Sequence, residues 1–267
     1  MRSATSSAGC TMRRNQEPPY ADPELYDLVY SWYDADLAFY VETAGAARGP
    51  VLEAACGTGR VLIPTREAGV DIDGFDREPA MLERLRAKAA RRGLAVHAAV
   101  ADLRDFTMPR RYALVTIPFR AFMHLQSTDE QLAALRCIRE HLEPEGALVM
   151  NQFYPSFGIM AEREGKRVHE REFPHPETGL PVTLWDTTRY DRVRQTMRTE
   201  REVVFADAAG AVVEARAYGF TLRWTFRFEM ELLLRAAGFT RWRVWGGFDR
   251  RPLERDTDEM VWTAWRD

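Results

Sequence analysis

Gly57 and Gly59 stand one residue apart where an apolar run, Val51-Leu52-Glu53-Ala54-Ala55-Cys56, gives way to a helical stretch beyond Arg60. Neither glycine carries a Cβ, so the backbone can pass close to a ligand, and the helix start supplies unpaired N–H donors and a positive dipole. A polar ligand group belongs above this turn. A second apolar run ends in Gly74-Phe75-Asp76, putting a carboxylate at a strand tip, where acids of nucleoside-binding sheets accept hydrogen bonds from ribose hydroxyls. Beyond a third run, Ala101-Asp102-Leu103 sets another acid on the same sheet edge, placed to accept from an adenine amino group. Taken singly, each acid also reads as a solvated turn residue. In this order behind a glycine turn, they describe a nucleoside site.

The constellation resembles the class I S-adenosylmethionine-dependent methyltransferases closely over residues 50–155 and more loosely thereafter. Glu53-Ala54-Ala55-Cys56-Gly57-Thr58-Gly59 is similar to that family's acidic-glycine motif. Asp76 followed by Pro79-Ala80-Met81-Leu82 is similar to its ribose motif, and Ala101-Asp102 to its adenine motif. Ala55 stands where the family usually has its first glycine. The resemblance implies S-adenosylmethionine as cofactor, leaving as S-adenosylhomocysteine. It also implies cofactor-binding roles for Tyr26, Glu53, Ala55, Gly57, Gly59, Arg60, Asp76, Arg77, Met81, Asp102, Leu103 and Pro118. A dinucleotide oxidoreductase would want a third glycine three residues after the second, for close helix packing; Leu62 occupies that position.

Methyl transfer from a sulfonium is an in-line displacement, so the protein must mainly hold the acceptor against the methyl and exclude water. If a proton must leave the acceptor, histidine suits the task near neutral pH. His124, in Phe119-Arg120-Ala121-Phe122-Met123-His124, follows the fourth strand; it reads either as that base or as a structural histidine ordering the loop. Arg120 reads as a partner for an anionic substrate group or as a solvated surface residue. Tyr26, Tyr30 and Tyr33 recur along one helical face, reading as core packing or as a lid whose phenols meet the cofactor and acceptor, Tyr33 with a catalytic part. Glycine and amino-sugar N-methyltransferases, which this chain resembles, carry such tyrosine-rich helices and an antiparallel insert after the fifth strand. His169 and His175 match no metal-site spacing and read as solvated loop residues, so no metal is expected. Trp242, Trp245, Trp262 and Trp265 read as core or dimer-interface packing, and the loop from Gly246 to Asp249 as a border of the site.

These residues need a scaffold. Short apolar runs at 51–56, 71–76, 95–100, 112–118 and 146–153 alternate with helical patterns, which implies crossovers and a parallel sheet. Ser127 with Glu130, or Thr128 with Gln131, forms a capping box opening a helix whose inner face is Leu132, Leu135, Ile138 and Leu142. The expected fold is α/β: a doubly wound, seven-stranded, mostly parallel Rossmann-like sheet, its last strand antiparallel by resemblance. Residues 1–19 read as a flexible leader, 20–155 as lid helices and cofactor core, 156–225 as an antiparallel β insert over the substrate, and 226–267 as the end of the core sheet. Within the insert, β-rich segments fall at 182–190, 195–206 and 211–224. A helix at 227–238 and strands at 241–248 and 259–266 follow.

The 267 residues, 46% hydrophobic and 29% charged, suffice for one full core. A net charge of −3 shows no basic excess of the kind a nucleic-acid binder carries. Three widely spaced cysteines suit reduced thiols and a cytoplasmic location. No apolar run reaches the length of a membrane span. The function expected is methylation of an oxygen or nitrogen of a small molecule, such as a secondary metabolite, with a homodimer left open. Two other classes remain: a catalytically inactive S-adenosylmethionine-binding regulator, and a methyltransferase acting on RNA or protein, which would need a basic face of Arg163, Lys166, Arg167, Arg171, Arg189 and Arg192 beside the pocket.

Overall fold

The computed structural model describes residues 11–14 and 19–267. It opens with β1 (Thr11–Arg14), α1 (Pro23–Tyr30) and α2 (Leu37–Gly45). The alternating core follows: β2 (Val51–Ala54), α3 (Leu62–Glu67), β3 (Ile72–Asp76), α4 (Pro79–Arg91), β4 (His97–Val100), β5 (Tyr112–Ile117), α5 (Thr128–His141) and β6 (Leu142–Phe153). Next come α6 (Phe157–Arg163), β7 (Arg167–Pro174), β8 (Pro181–Asp191), β9 (Thr196–Ala206), β10 (Val212–Arg223) and α7 (Arg227–Ala236). The chain closes with β11 (Arg241–Trp245) and β12 (Glu259–Trp265).

Seven strands form the main sheet in the order β11-β12-β6-β5-β2-β3-β4. All pairs from β6 to β4 are parallel, while β12 runs antiparallel to both β6 and β11. This is the expected doubly wound sheet with its antiparallel last strand. Helices cover both faces, so β2 is buried at every position and β5 at all but Ala113, as parallel strands require. The order reverses between β2 and β5, and the carboxyl ends of those two strands diverge into a crevice. At the start of α5, Ser127 accepts from the Glu130 N–H, and the Glu130 carboxylate accepts from the Gln126 N–H. The inner face of α5 is Gln131, Ala134, Leu135 and Ile138; Leu142 has already passed into β6.

A second sheet, β1-β10-β9-β8-β7, forms the insert. Its inner face is apolar, Val182, Leu184, Val203 and Tyr218 packing on Leu25 and Val29 of α1. The insert therefore lies over the lid helix and, through it, over the crevice. Of the expected leader, residues 11–14 pair in parallel with β10, while 1–10 and 15–18 lie outside the described residues.

Two local expectations need correction. The stretch from Arg167 to His175 is not a solvated loop: most of it is β7, paired antiparallel with β8, and His169 packs against Trp185. Its alternation is weak because β7 is an edge strand with little burial on either face. The loop after β11 does not border the site: Phe248 packs on Phe39 and Tyr40 of α2, behind the sheet.

Candidate active site

A cavity of about 390 Å³ opens over the carboxyl ends of β2, β3 and β5. Its floor is the glycine turn. Ala55 sits at φ 55°, Gly57 at 52° and Gly59 at 82°, so three of five residues adopt the left-handed conformation that favours glycine. Ala55 carries its methyl there at a cost of roughly 1 kcal/mol. The turn is pinned from β3: the Asp76 carboxylate accepts from the Gly57 N–H at 2.8 Å and the Glu78 N–H at 3.0 Å. Burial nevertheless holds the Asp76 carboxyl above the usual range. Asp102, beyond β4, takes a forked bond from Arg104, whose other amino group reaches Glu130 at the start of α5; the guanidinium lowers the Asp102 pKa. Met81, Leu103, Arg77 and Pro118 complete this half of the wall.

The other half is a ring of aromatic side chains. Tyr20 meets Tyr26 at 6.0 Å between centroids, Tyr26 meets Tyr30 at 4.8 Å, and Tyr30 meets Phe119 at 5.3 Å. His124 closes the ring: its Nε2 lies 2.8 Å from the Tyr20 hydroxyl, with the two rings edge to face. Burial and the nearby Arg77 charge push His124 down to about 4, so it stays neutral through the physiological range. Burial also holds the Tyr20, Tyr26 and Tyr30 phenols protonated. From the insert, Phe220, Leu222 and Arg201 reach down as the roof. Arg201 makes a forked bond to Asp186 at 2.7 and 2.6 Å and donates its remaining amino group to the Tyr30 hydroxyl at 2.8 Å. Phe119 and Arg120 are consecutive residues at positive φ, 56° and 63°, backbone strain of the kind that gathers at functional sites.

Twelve of the sequence candidates line this cavity: Tyr26, Tyr30, Ala55, Gly57, Asp76, Arg77, Met81, Asp102, Leu103, Pro118, Arg120 and His124. Four do not. Gly59 turns beneath the floor, where an added Cβ would meet Ile63 and Leu85 at 3.0 Å. Glu53 lies buried behind the turn with its Oε2 unpartnered among the described residues, and burial raises its pKa to about 8. Arg60 is committed to the fully buried Asp36 at 2.5 and 2.8 Å and to the Tyr33 carbonyl; the pair fixes the 31–36 break between α1 and α2 onto the glycine turn. Tyr33 stands behind Phe119, ring centroids 5.1 Å apart, lining a separate cleft on the far side of α1. Arg120, its side chain partly exposed at the cavity edge, forks onto Glu259, which also accepts from Asn151. Sequence reasoning missed Tyr20, Phe119 and Arg201 as wall residues. None of the six basic residues required for a macromolecular substrate lines the cavity; Arg163 and Arg167 are paired with Glu170 and Glu202.

The α1 helix is fastened over the cavity. Asp27 of α1 accepts from the Thr58 hydroxyl at 2.6 Å, Lys88 at 2.9 Å and Arg84 at 3.0 Å, so one carboxylate ties the lid to the glycine turn and to α4.

A family model described as a methyltransferase domain matches residues 51–146. The chain is 33% identical over 207 residues to the dTDP-3-amino-3,6-dideoxy-alpha-D-glucopyranose N,N-dimethyltransferase of Streptomyces fradiae, covering 63% of this chain and 80% of that relative. It is 27% identical over 241 residues to the cypemycin N-terminal methyltransferase of a Streptomyces species, covering 89% and 93% of the two chains. Among solved structures, it resembles an S-adenosylmethionine-bound amino pentose methyltransferase from Micromonospora echinaspora, involved in calicheamicin biosynthesis. That match has TM-score 0.67 and 25% identity, covering 91% of this chain and 97% of that one.

Proposed function

The chain belongs to the S-adenosylmethionine-dependent methyltransferases, and from that premise we propose that it methylates the nitrogen of a small-molecule amine within the aromatic half of the cavity. The observation that carries this reading is a wall without a strong base. His124 is held near pKa 4 and the tyrosines that ring the site stay protonated, so among the described residues of this aromatic half none is equipped to strip a proton from an alcohol. An uncharged amine already has its lone pair free and needs no base before attack.

The cofactor fits the floor. Glu53, behind the turn and off the cavity wall, keeps an unpartnered Oε2 among the described residues, and in this reading it would meet the amino-acid end of S-adenosylmethionine through an intervening water. In this reading Asp76 takes the ribose hydroxyls and Asp102 the adenine amino group. When bound, S-adenosylmethionine supplies an electrophilic methyl on a sulfonium. The protein's own share is positioning and exclusion of water. The rings of Tyr26, Tyr30 and Phe119 present electron-rich faces favourable to positive charge. The Tyr20–His124 pair offers a neutral hydrogen bond that orients the amine without protonating it.

The small size of the acceptor rests on the cavity volume, which lies in the range of small-molecule pockets, and on relatives that act on amino sugars. The test is to incubate the protein with S-adenosylmethionine and three acceptors: a nucleotide-linked 3-amino sugar, its 3-hydroxy counterpart, and a short peptide with a free N-terminus. Mass spectrometry would read the gain of one or two methyl groups. Methylation of the amino sugar alone supports the reading; turnover of the hydroxy sugar would overturn the choice of nitrogen, and turnover of only the peptide would overturn the choice of a small acceptor.

A further inference from the structure

The outer face of α7 leaves large apolar side chains in water. Met230, Leu233 and Leu234 point into the core, but Phe228 is 71% and Leu232 63% exposed. Phe157 of α6, 61% exposed, meets Phe226 just before the helix, ring centroids 5.9 Å apart. Phe228 and Leu232 lie one helical turn apart on this face, and large apolar side chains left exposed side by side usually mark a partner surface.

We propose that this face pairs with a second copy of the chain, α7 against α7 in antiparallel register about Leu232. Phe228, Leu232 and Ala236 follow one another at four-residue steps along the same exposed stripe. A two-fold axis through Leu232 sets Leu232 on its counterpart and lays each bulky Phe228 over the small Ala236 of the other copy, a large-on-small fit made twice. The charges agree with that direction. Arg227 and Glu231 pair along the helix at 3.0 Å. Arg235 stacks on Trp242 and has no carboxylate partner among the described residues; the two-fold brings it beside the partner's Glu231. A parallel arrangement would instead set Arg235 against Arg235. The mixed charge of this rim also suits a protein surface better than an anionic bilayer.

The face connects to the site through the helix itself. On its inner side Glu229 accepts from Arg223 at the end of β10 and from Gln195 in the β8–β9 turn. A second copy on the outer side would brace the helix that anchors the insert. The test is sedimentation velocity of the full chain over about 1 to 100 µM protein, where mass action separates a dimer from a monomer. Leu232→Glu, Phe228→Glu and Arg235→Glu are each compared with the wild type, with circular dichroism checking the fold. The expected result is a wild-type dimer whose dissociation constant rises at least about thirtyfold in Leu232→Glu and Phe228→Glu. Arg235→Glu should weaken it less, and Glu231→Arg combined with Arg235→Glu should recover that loss. A wild-type monomer at every concentration, or a dimer that Leu232→Glu and Phe228→Glu leave unmoved, would overturn the proposal.

Discussion

The two halves of the cavity are built by different means. The half proposed for the cofactor is made where it is encoded: Gly57, Asp76 and Asp102 sit at the tips of neighbouring strands, and the main contact across them, Asp76 to the Gly57 N–H, spans 19 residues. The half proposed for the acceptor is assembled from afar. Tyr20 meets His124 across 104 residues and Tyr30 meets Arg201 across 171. The first half is a backbone turn pinned by one carboxylate; the second is a set of side chains from the lid helix, the loop after β5 and the insert, held together by a few polar bonds. Changes in the first should strike cofactor affinity, and changes in the second the use of acceptor.

The largest effect is expected at Asp76. Asp76→Ala removes the candidate ribose acceptor and unpins the Gly57 and Glu78 N–H groups, so affinity for S-adenosylmethionine should fall more than about a hundredfold, as for a lost charged hydrogen-bond network. Calorimetric titration measures this, with circular dichroism confirming the fold. Asp76→Asn, which keeps the shape and part of the bonding, should lose less. Unchanged binding in a folded Asp76→Ala protein would break the division between the halves at its clearest point.

Next is Arg201, whose side chain is largely buried and shared between Asp186 and Tyr30. Arg201→Met leaves the Asp186 carboxylate unpaired and releases Tyr30, and losses of that kind cost about 3–5 kcal/mol. Part of that falls on the insert's stability. The rest should appear as a rise of about tenfold or more in the acceptor KM, with cofactor affinity little changed. Arg201→Lys should restore the charge but not the fork. Equal losses for cofactor and acceptor would mean that Arg201 supports the whole cavity rather than its roof.

This contrast also sets how much was legible in the sequence. The glycine turn, the strand-tip acids and the positions of the core strands along the chain are local features, and they read directly. Ala55 was legible as a departure from the motif, and its positive φ shows why glycine suits the position. Arg60, by contrast, carried no sign that the buried Asp36 would claim it. Tyr20 lay at the border of a non-periodic leader, where no amphipathic pattern points inward. Arg201 sits in β9 among alternating charged residues, Arg198, Glu200 and Glu202, and only the packing of the insert on α1 distinguishes the inward arginine. β7 was missed for the same reason: an edge strand has no buried face to write an alternation.

His124 sharpens the comparison at smaller scale. An ordinary histidine would titrate near pH 6.5 and leave an inflection there. Held down at about 4 by burial, His124 is unprotonated at both pH 5 and pH 8. The pH profile of kcat/KM should therefore show only the acid limb set by the acceptor amine, which loses its lone pair as the pH falls through its own pKa. His124→Asn, which retains one neutral hydrogen bond to Tyr20, should lower kcat by roughly tenfold or less, below the hundredfold or greater loss typical of a removed general base. An inflection near 6.5 that vanishes in His124→Asn would return the histidine to the role of base.

The smallest effect is expected at Ala55, where the two halves meet. Its methyl sits at φ 55° on the cavity wall, and glycine would relieve that strain while adding freedom to the unfolded chain. The two terms are of similar size and opposite sign, so Ala55→Gly should shift stability by less than about 1 kcal/mol, a melting change of no more than roughly 2–4 °C. Cofactor affinity should hold, because the N–H groups of the turn keep their places. A large loss of affinity without a loss of stability would show that the methyl touches the ligand, making Ala55 part of the recognition surface and not merely a residue the turn tolerates.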